Sequence, residues 1–335
     1  MGLAEELHEA PDALRRQARS LAAPVAELAE RLRRRPPVFV VTCARGSSAH
    51  AATFAKHLIE LHLGIPVAAA APNIASVYRR PLHLNGQLFL AVSQSGRSDD
   101  LVEMAAMARD CGALTVCIVN DTDSPLAASC EIALTMAAGP ERSVAATKSF
   151  VASLAAALRL VASWTGSVPL ADALDRLPQR VAASGRLDWG AVLDPVAEAS
   201  SLVVLGRGPT LAMAREAALK LKEIGNLHAE AFSGAEFRHG PMALVYGRYP
   251  VLLLMPSDAA AMGLRDLAAD LAGKGARVLT AAAGDGLLPV LPPDVPETDA
   301  VCLIQSFYAI LPALAARLGI DPERPRHLQK VTRTR

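Results

Sequence analysis

What this 335-residue sequence has little of narrows it first. Aromatic residues make up only 4% of it, and the formal net charge is +1. A chain so close to neutral projects no global field, so nucleic acid is not an expected partner. The five cysteines, Cys43, Cys111, Cys117, Cys130 and Cys302, are odd in number and widely spread, and no Cys-x-x-Cys pair occurs. That argues against a disulfide framework or zinc site and for reduced thiols in the cytoplasm. Ligand spacing suggests no metal and no redox cofactor. The N-terminus carries Glu5, Glu6 and Glu9 without an apolar h-region, so no signal peptide is expected. The longest apolar stretch, residues 151–164, is interrupted by Arg159 and too short to span a bilayer, so no membrane is expected either. The Walker lysine loop, the dinucleotide glycine fingerprint and the G-x-S-x-G elbow are all missing.

What is there begins with one turn. Five apolar residues, 88–92, read as a buried parallel strand, and Asp99 onward reads as an amphipathic helix. Between them stands Ser93-Gln94-Ser95-Gly96-Arg97-Ser98. A hydroxyl-rich strand-to-helix turn offers backbone N–H groups and side-chain donors at a helix N-terminus, where an anion is favoured. A helix cap needs one such serine; three serines with Gln94 point to a bound phosphate. A second hydroxyl-bearing turn, Arg45-Gly46-Ser47-Ser48, follows the first strand. The dense basic run Arg31, Arg33, Arg34 and Arg35 reads as a solvated helix end.

The chain also repeats itself. Arg45-Gly46 and Arg207-Gly208 both follow a short apolar strand and stand 162 residues apart, as do Ser95 and Ser257. Gly112-Ala113 and Gly275-Ala276, each ahead of a strand, stand 163 apart. Landmarks at nearly one offset indicate a duplicated domain. Strand candidates fall at 38–42, 66–70, 88–92, 114–119 and 131–135, then near 201–205, 228–232, 250–255, 277–282 and 300–304. Alternating strands and helices imply parallel βαβ units. The fold class expected is therefore α/β, with two tandem doubly wound, flavodoxin-like, five-stranded parallel sheets. A helical segment covers residues 1–35, the first domain 36–165, a connection with a helix around 170–184 occupies 166–197, and the second domain is 198–320. After Pro312 and a short helix, residues 321–335 form an irregular tail.

The copies differ in chemistry. Copy two has Met255-Pro256-Ser257-Asp258 where copy one has Ser93-Gln94-Ser95-Gly96, and Asp258 would not favour an anion. Copy two instead offers Glu216, Lys220 and Glu223, spaced i, i+4 and i+7 on one helical face. An exposed ion-pair stripe has the same spacing. The next segment, from His228 to Pro241, carries Glu230, Glu236 and His239 beside Gly240-Pro241. Carboxylates and histidine suit proton shuttling and ring opening near neutral pH.

Together these residues resemble the SIS (sugar isomerase) superfamily, specifically the isomerase half of glucosamine-6-phosphate synthase, from about residue 38 onward. The resemblance rests on Gly46-Ser47-Ser48, Ser93-Gln94-Ser95-Gly96, Val144-Ala145-Ala146-Thr147-Lys148, Leu205-Gly206-Arg207-Gly208 and the run from Glu216 to Glu223. It continues through His228-Ala229-Glu230, His239-Gly240-Pro241 and Pro325-Arg326-His327-Leu328-Gln329-Lys330. It implies two SIS domains and phosphosugar binding by Ser47, Ser48, Ser93, Gln94, Ser95 and Ser98, with Val144 and Ala145 touching the sugar. Glu223 would move a proton between C1 and C2, with Lys220 and Glu216 beside it. His239 would open the sugar ring, reaching the site of a partner subunit in a homodimer, and Lys330 would close over the sugar.

The departures from the family pattern decide the expected reaction. No upstream glutaminase segment with a cysteine nucleophile is seen, Arg97 stands where the synthase usually has an acid, and Ala146 where it has a serine. The Ser-Gln-Ser-Gly-Arg-Ser form looks like that of stand-alone SIS-type glucosamine-6-phosphate deaminases. The resemblance therefore implies an enzyme without glutaminase activity that acts on a small sugar phosphate and converts glucosamine 6-phosphate to fructose 6-phosphate and ammonia. It also admits a fructosamine-6-phosphate deglycase, a galactosamine-6-phosphate deaminase, an aldose–ketose isomerase or a non-catalytic phosphosugar sensor.

Overall fold

In the computed structural model residues 2–284 and 286–330 are described, and the repeat is realised as two parallel sheets. The chain divides into two compact units built from separated segments. Among the described residues the first holds 10–141, 148–175 and 329–330, and the second holds 2–9, 142–147 and 176–328.

The chain opens with α1 (Leu3–His8), which belongs to the second unit, and α2 (Ala10–Arg34), which belongs to the first. The first unit continues through β1 (Val40–Ala44), α3 (Gly46–Leu63), β2 (Val67–Ala69), α4 (Asn73–Ser76), β3 (Leu88–Ser93) and α5 (Asp99–Asp110). It is completed by β4 (Leu114–Val119), α6 (Pro125–Ser129), β5 (Ile132–Thr135) and α7 (Lys148–Thr165). The strands pair in parallel in the order β2-β1-β3-β4-β5, the flavodoxin-like order expected. Strand residues alternate between the faces, so Val41, Cys43, Phe89, Ala91, Cys117 and Val119 pack against Leu101, Met104 and Ala108 of α5. In α2, Leu14, Leu21, Val25, Leu28 and Leu32 form the buried stripe of an amphipathic helix. Its Gln17 crosses the core, donating Nε2 to Met136 O at 3.0 Å and Ala152 O at 2.7 Å.

The connection contains α8 (Val168–Ser184), as expected near 170–184, then α9 (Leu193–Ala197). The second sheet follows through β6 (Ser201–Gly206), α10 (Thr210–Gly225), β7 (His228–Ser233), α11 (Gly234–Phe237), β8 (Pro250–Leu254), α12 (Ala261–Gly273), β9 (Arg277–Ala281) and α13 (Pro296–Arg317). Its order, β7-β6-β8-β9, repeats the first four positions of the first sheet. Val203, Leu205, Val251 and Leu253 pack against Leu264, Leu267 and Leu271 of α12.

Two details differ from the sequence expectation. Residues 300–304 are not a fifth strand of copy two, and Pro312 does not precede a short helix; both lie inside the 22-residue α13. Val301, Cys302, Leu303 and Ile304 are all buried, and an apolar run buried on every side reads the same as strand or helix. The helix start was nevertheless written in Pro296, Glu297 and Asp299, since proline and acids suit a first turn. By length and composition α13 could cross a bilayer, yet 72% of its most apolar window is buried, as befits a core helix. Residues 321–330 form turns without regular structure, and 331–335 lie outside the described residues.

Candidate functional site

The residues expected at the site fall into two groups. Ser47, Ser48, Ser93, Gln94, Ser95, Ser98 and Lys330 belong to the first unit; Val144, Ala145, Glu216, Lys220, Glu223 and His239 belong to the second.

In the first unit β1 and β3 are neighbours, with Ala44 paired to Val92, so the turns that follow them leave the sheet side by side. This is the topological switch point, where β1 leads outward to β2 and β3 leads the other way to β4. Gly46, at φ +51°, begins α3, and Ser47 and Ser48 occupy its first turn. Ser93 ends β3; its Oγ accepts from Gly96 N at 3.1 Å, and Ser95 Oγ accepts from Arg97 N at 3.3 Å. A hydroxyl that accepts still has a proton to give. The Ser48 and Ser98 hydroxyls and the Gln94 amide make no hydrogen bond among the described residues. Gly96 is required here: at φ +63° a Cβ would lie 2.1 Å from Ser124 Oγ.

An ion pair that sequence reasoning missed joins the two turns. Arg45 precedes Gly46, and its Nε and Nη2 both donate to Asp100 Oδ2, at 3.0 and 2.7 Å. Asp100 is buried in the first turn of α5, so Arg45 neutralises a carboxylate beside the anion-favouring helix start. Arg97 turns away to Asp121, with Nη2 2.7 Å from Oδ2. The tail lysine is also engaged: Lys330 Nζ donates to Glu141 Oε2 at 3.0 Å, and Glu141 accepts from Ser149 N and Oγ as well.

In the second unit α10 carries the face of Glu216, Lys220 and Glu223. Lys220 Nζ lies 2.5 Å from Glu223 Oε2 and 3.2 Å from Glu216 Oε1, and Tyr308 of α13 donates its hydroxyl to Glu216 Oε1 at 3.0 Å. The side chains of Glu216 and Lys220 are 0% exposed, whereas Glu223 is 21% exposed. This is no solvated stripe. Burial works to lower the Lys220 ammonium, but the charges of Glu216 and Glu223 and their hydrogen bonds overcome it and hold it above its ordinary value. The same helix turns Lys222 toward the edge strand, where Nζ donates to Ala229 O at 2.7 Å. Nothing in the sequence pointed to Tyr308, which sits in an apolar run.

His239 is exposed on the turn after α11, its N–H donating to Glu236 O at 2.9 Å, and Gly240 beyond it has φ +134°. Among the described residues no hydrogen bond or ion pair joins its ring to Glu223. Val144 and Ala145 sit on an irregular segment pinned by two glutamates the sequence did not single out. Glu6 accepts from Arg142 N at 2.5 Å and Ser143 N at 3.3 Å; Glu323 accepts from Leu3 N at 2.5 Å and Ser143 Oγ at 3.0 Å. Among the described residues no group of three or more histidine, cysteine or acidic side chains is placed to hold a metal ion.

Known proteins share this sequence family and fold. The model of the SIS domain family matches residues 39–163 and 196–283. The glutamine–fructose-6-phosphate aminotransferase (isomerizing) of Sulfurisphaera tokodaii is 31% identical over 97% of this chain and 55% of its own length. The chain thus spans about half the length of the curated relatives it matches. A crystal structure described as a putative phosphosugar isomerase from Silicibacter pomeroyi DSS-3 is 44% identical, covers 96% of this chain and 99% of its own, and has a TM-score of 0.92. A glucosamine-6-phosphate deaminase from Thermotoga maritima shares the fold at 22% identity, with coverage of 97% and 100% and a TM-score of 0.75.

Proposed function

Because this chain belongs to the SIS domain family, we propose that it is an enzyme of sugar phosphates that deaminates glucosamine 6-phosphate to fructose 6-phosphate and ammonia. The observation that carries this reading is the buried Tyr308-Glu216-Lys220-Glu223 chain, which leaves one carboxylate partly exposed at the end of α10. A carboxylate fixed by a buried ammonium is suited to proton transfer at a carbon beside a carbonyl or imine.

In the proposed reaction the serine hydroxyls, Gln94 and the start of α5 hold the phosphate. His239, supplied by a second copy in a homodimer, opens the pyranose ring. Glu223 takes the C2 proton and returns one to C1, which turns the C2 amine into an imine. Water adds to that imine, the C2–N bond breaks, and ammonia and fructose 6-phosphate leave. Val144 and Ala145 line the sugar, Lys330 exchanges Glu141 for the substrate carbonyl, and no metal, redox group or glutamine is used. A reducing cytoplasm is the location proposed, on the odd number and wide spread of the cysteines in the sequence.

The curated relatives are named for making an amino sugar from glutamine. The breaking direction is favoured here by Arg97, whose pairing with Asp121 sets this turn apart from a synthase acid. An ammonia-release assay across glucosamine 6-phosphate, galactosamine 6-phosphate and fructosamine 6-phosphate tests the reading. Ammonia with equimolar fructose 6-phosphate from the first substrate supports it. Turnover of another substrate alone assigns the chain to a different SIS reaction.

A further inference from the structure

The two hydroxyl-bearing turns of the first unit are tied together by a pair of charges that the proposed chemistry leaves unused. Arg45 stands in the turn after β1 and Asp100 in the first turn of α5. The guanidinium reaches across with Nε and Nη2, both on Asp100 Oδ2 at 3.0 and 2.7 Å. The Asp100 side chain is 3% exposed and that of Arg45 52%. Asp100 Oδ1 is buried and accepts no hydrogen bond among the described residues. The carboxylate charge is thus met through one oxygen, by a residue of the other turn.

That charge lies where the proposed phosphate would bind. Neither Arg45 at the N-cap of α3 nor Ser98 at the N-cap of α5 caps its helix with its side chain, so first-turn N–H groups stay open to an anion. A carboxylate in the first turn of α5 competes with that anion for the same field and repels it through a poorly screening interior. Cys43, two residues before Arg45 in β1, feels both charges. Burial pushes its thiol up to about 12; Asp100 adds to the rise and Arg45 opposes it.

The duplication separates the pair from what the sheet itself requires. At the 162-residue offset Arg207 stands for Arg45, but Met262 stands for Asp100. Copy two, which lacks the Ser-Gln-Ser-Gly turn, keeps the arginine and has no acid at that place. The pair goes with the hydroxyl-rich turns and not with the doubly wound fold. The edge of the guanidinium that would grip a phosphate by two parallel bonds is already committed to Asp100. Resting on the phosphate reading of these turns, we infer that Arg45 is a positioning residue of that site. It cancels the Asp100 charge and holds the β1 and β3 turns at one spacing, acting through Asp100 and not on the ligand.

Titration of the full chain with glucosamine 6-phosphate and with inorganic phosphate tests this role. Arg45→Ala is expected to weaken both by at least about tenfold, or about 1.4 kcal/mol. In the ammonia-release assay it is expected to raise KM while kcat changes by less than about threefold. Asp100→Asn removes the charge that Arg45 answers, and is expected to bind both anions at least as tightly as the wild type. The double variant Arg45→Ala/Asp100→Asn is expected to return to within about threefold of the wild type. It also serves should Arg45→Ala fail to fold, since it leaves no uncompensated buried charge. Weakening in Asp100→Asn equal to that in Arg45→Ala, undiminished binding in Arg45→Ala, or a double variant no better than Arg45→Ala overturns the role. Absence of binding to the wild type removes the phosphate reading and this role with it. A wild type that binds but releases no ammonia overturns the proposed reaction, and the affinities still decide the role of Arg45.

Discussion

Tyr308 donates its hydroxyl to Glu216 Oε1 at 3.0 Å, tying α13 to α10 at a point where both side chains are buried. The bond fixes Glu216, which positions Lys220, which in turn holds Glu223. Tyr308→Phe is expected to cost about 1–3 kcal/mol in urea unfolding, because it leaves a buried carboxylate short of a donor. It is expected to lower kcat more than it raises KM, since the loosened element carries the proposed acid–base residues and not the proposed phosphate turns.

Removing Lys220 is a larger change. Lys220→Ala strands the fully buried Glu216 charge, and the loss expected from breaking a buried pair is about 3–5 kcal/mol. The pH dependence follows from its direction of shift. The folded ammonium is held above its ordinary value of 10.5, so its contribution is complete below that value and disappears as pH rises through the higher folded value. Thermal melts are therefore expected to show no Lys220-dependent loss across the neutral range and a loss only above 10.5. A Lys220-dependent drop in the neutral range would count against the buried triad.

The proposed phosphate turn makes its own demand at Gly96. Alanine there must adopt φ +63° and place its Cβ against Ser124, so Gly96→Ala is expected to destabilise the chain by at least about 1–2 kcal/mol. Sugar phosphate affinity, measured by titration, is expected to fall along with it because Ser93 and Ser95 lose the geometry that orients their hydroxyls.

His239 tests the proposed homodimer. His239→Asn and Glu223→Gln chains, each inactive alone on the cyclic substrate, are expected to regain part of their activity when mixed and allowed to exchange subunits. Recovery in the mixture requires the two residues to act from different chains; no recovery, with subunit exchange verified by mass, contradicts the shared site.

Much of this was legible in the sequence because it is written in local pattern. The 162-residue repeat predicted both sheets, and hydroxyl-rich turns predicted the switch point between β1 and β3. The spacing of Glu216, Lys220 and Glu223 predicted one helical face, but only the fold shows that face buried. Residues 300–304 misled because burial on all sides erases the period that separates strand from helix. Tyr308, Glu6, Glu323 and the Arg45–Asp100 pair escaped notice for a common reason: each acts on a residue far along the chain, where spacing carries no signal.

The most direct test of the account is ammonia release from glucosamine 6-phosphate by the wild type and by Glu223→Gln, with sugar phosphate binding measured in parallel. The account predicts ammonia equimolar with fructose 6-phosphate from the wild type, and a variant that binds the substrate yet turns over at least about a hundredfold more slowly. A wild type that releases no ammonia, or a Glu223→Gln chain of undiminished activity, would contradict it.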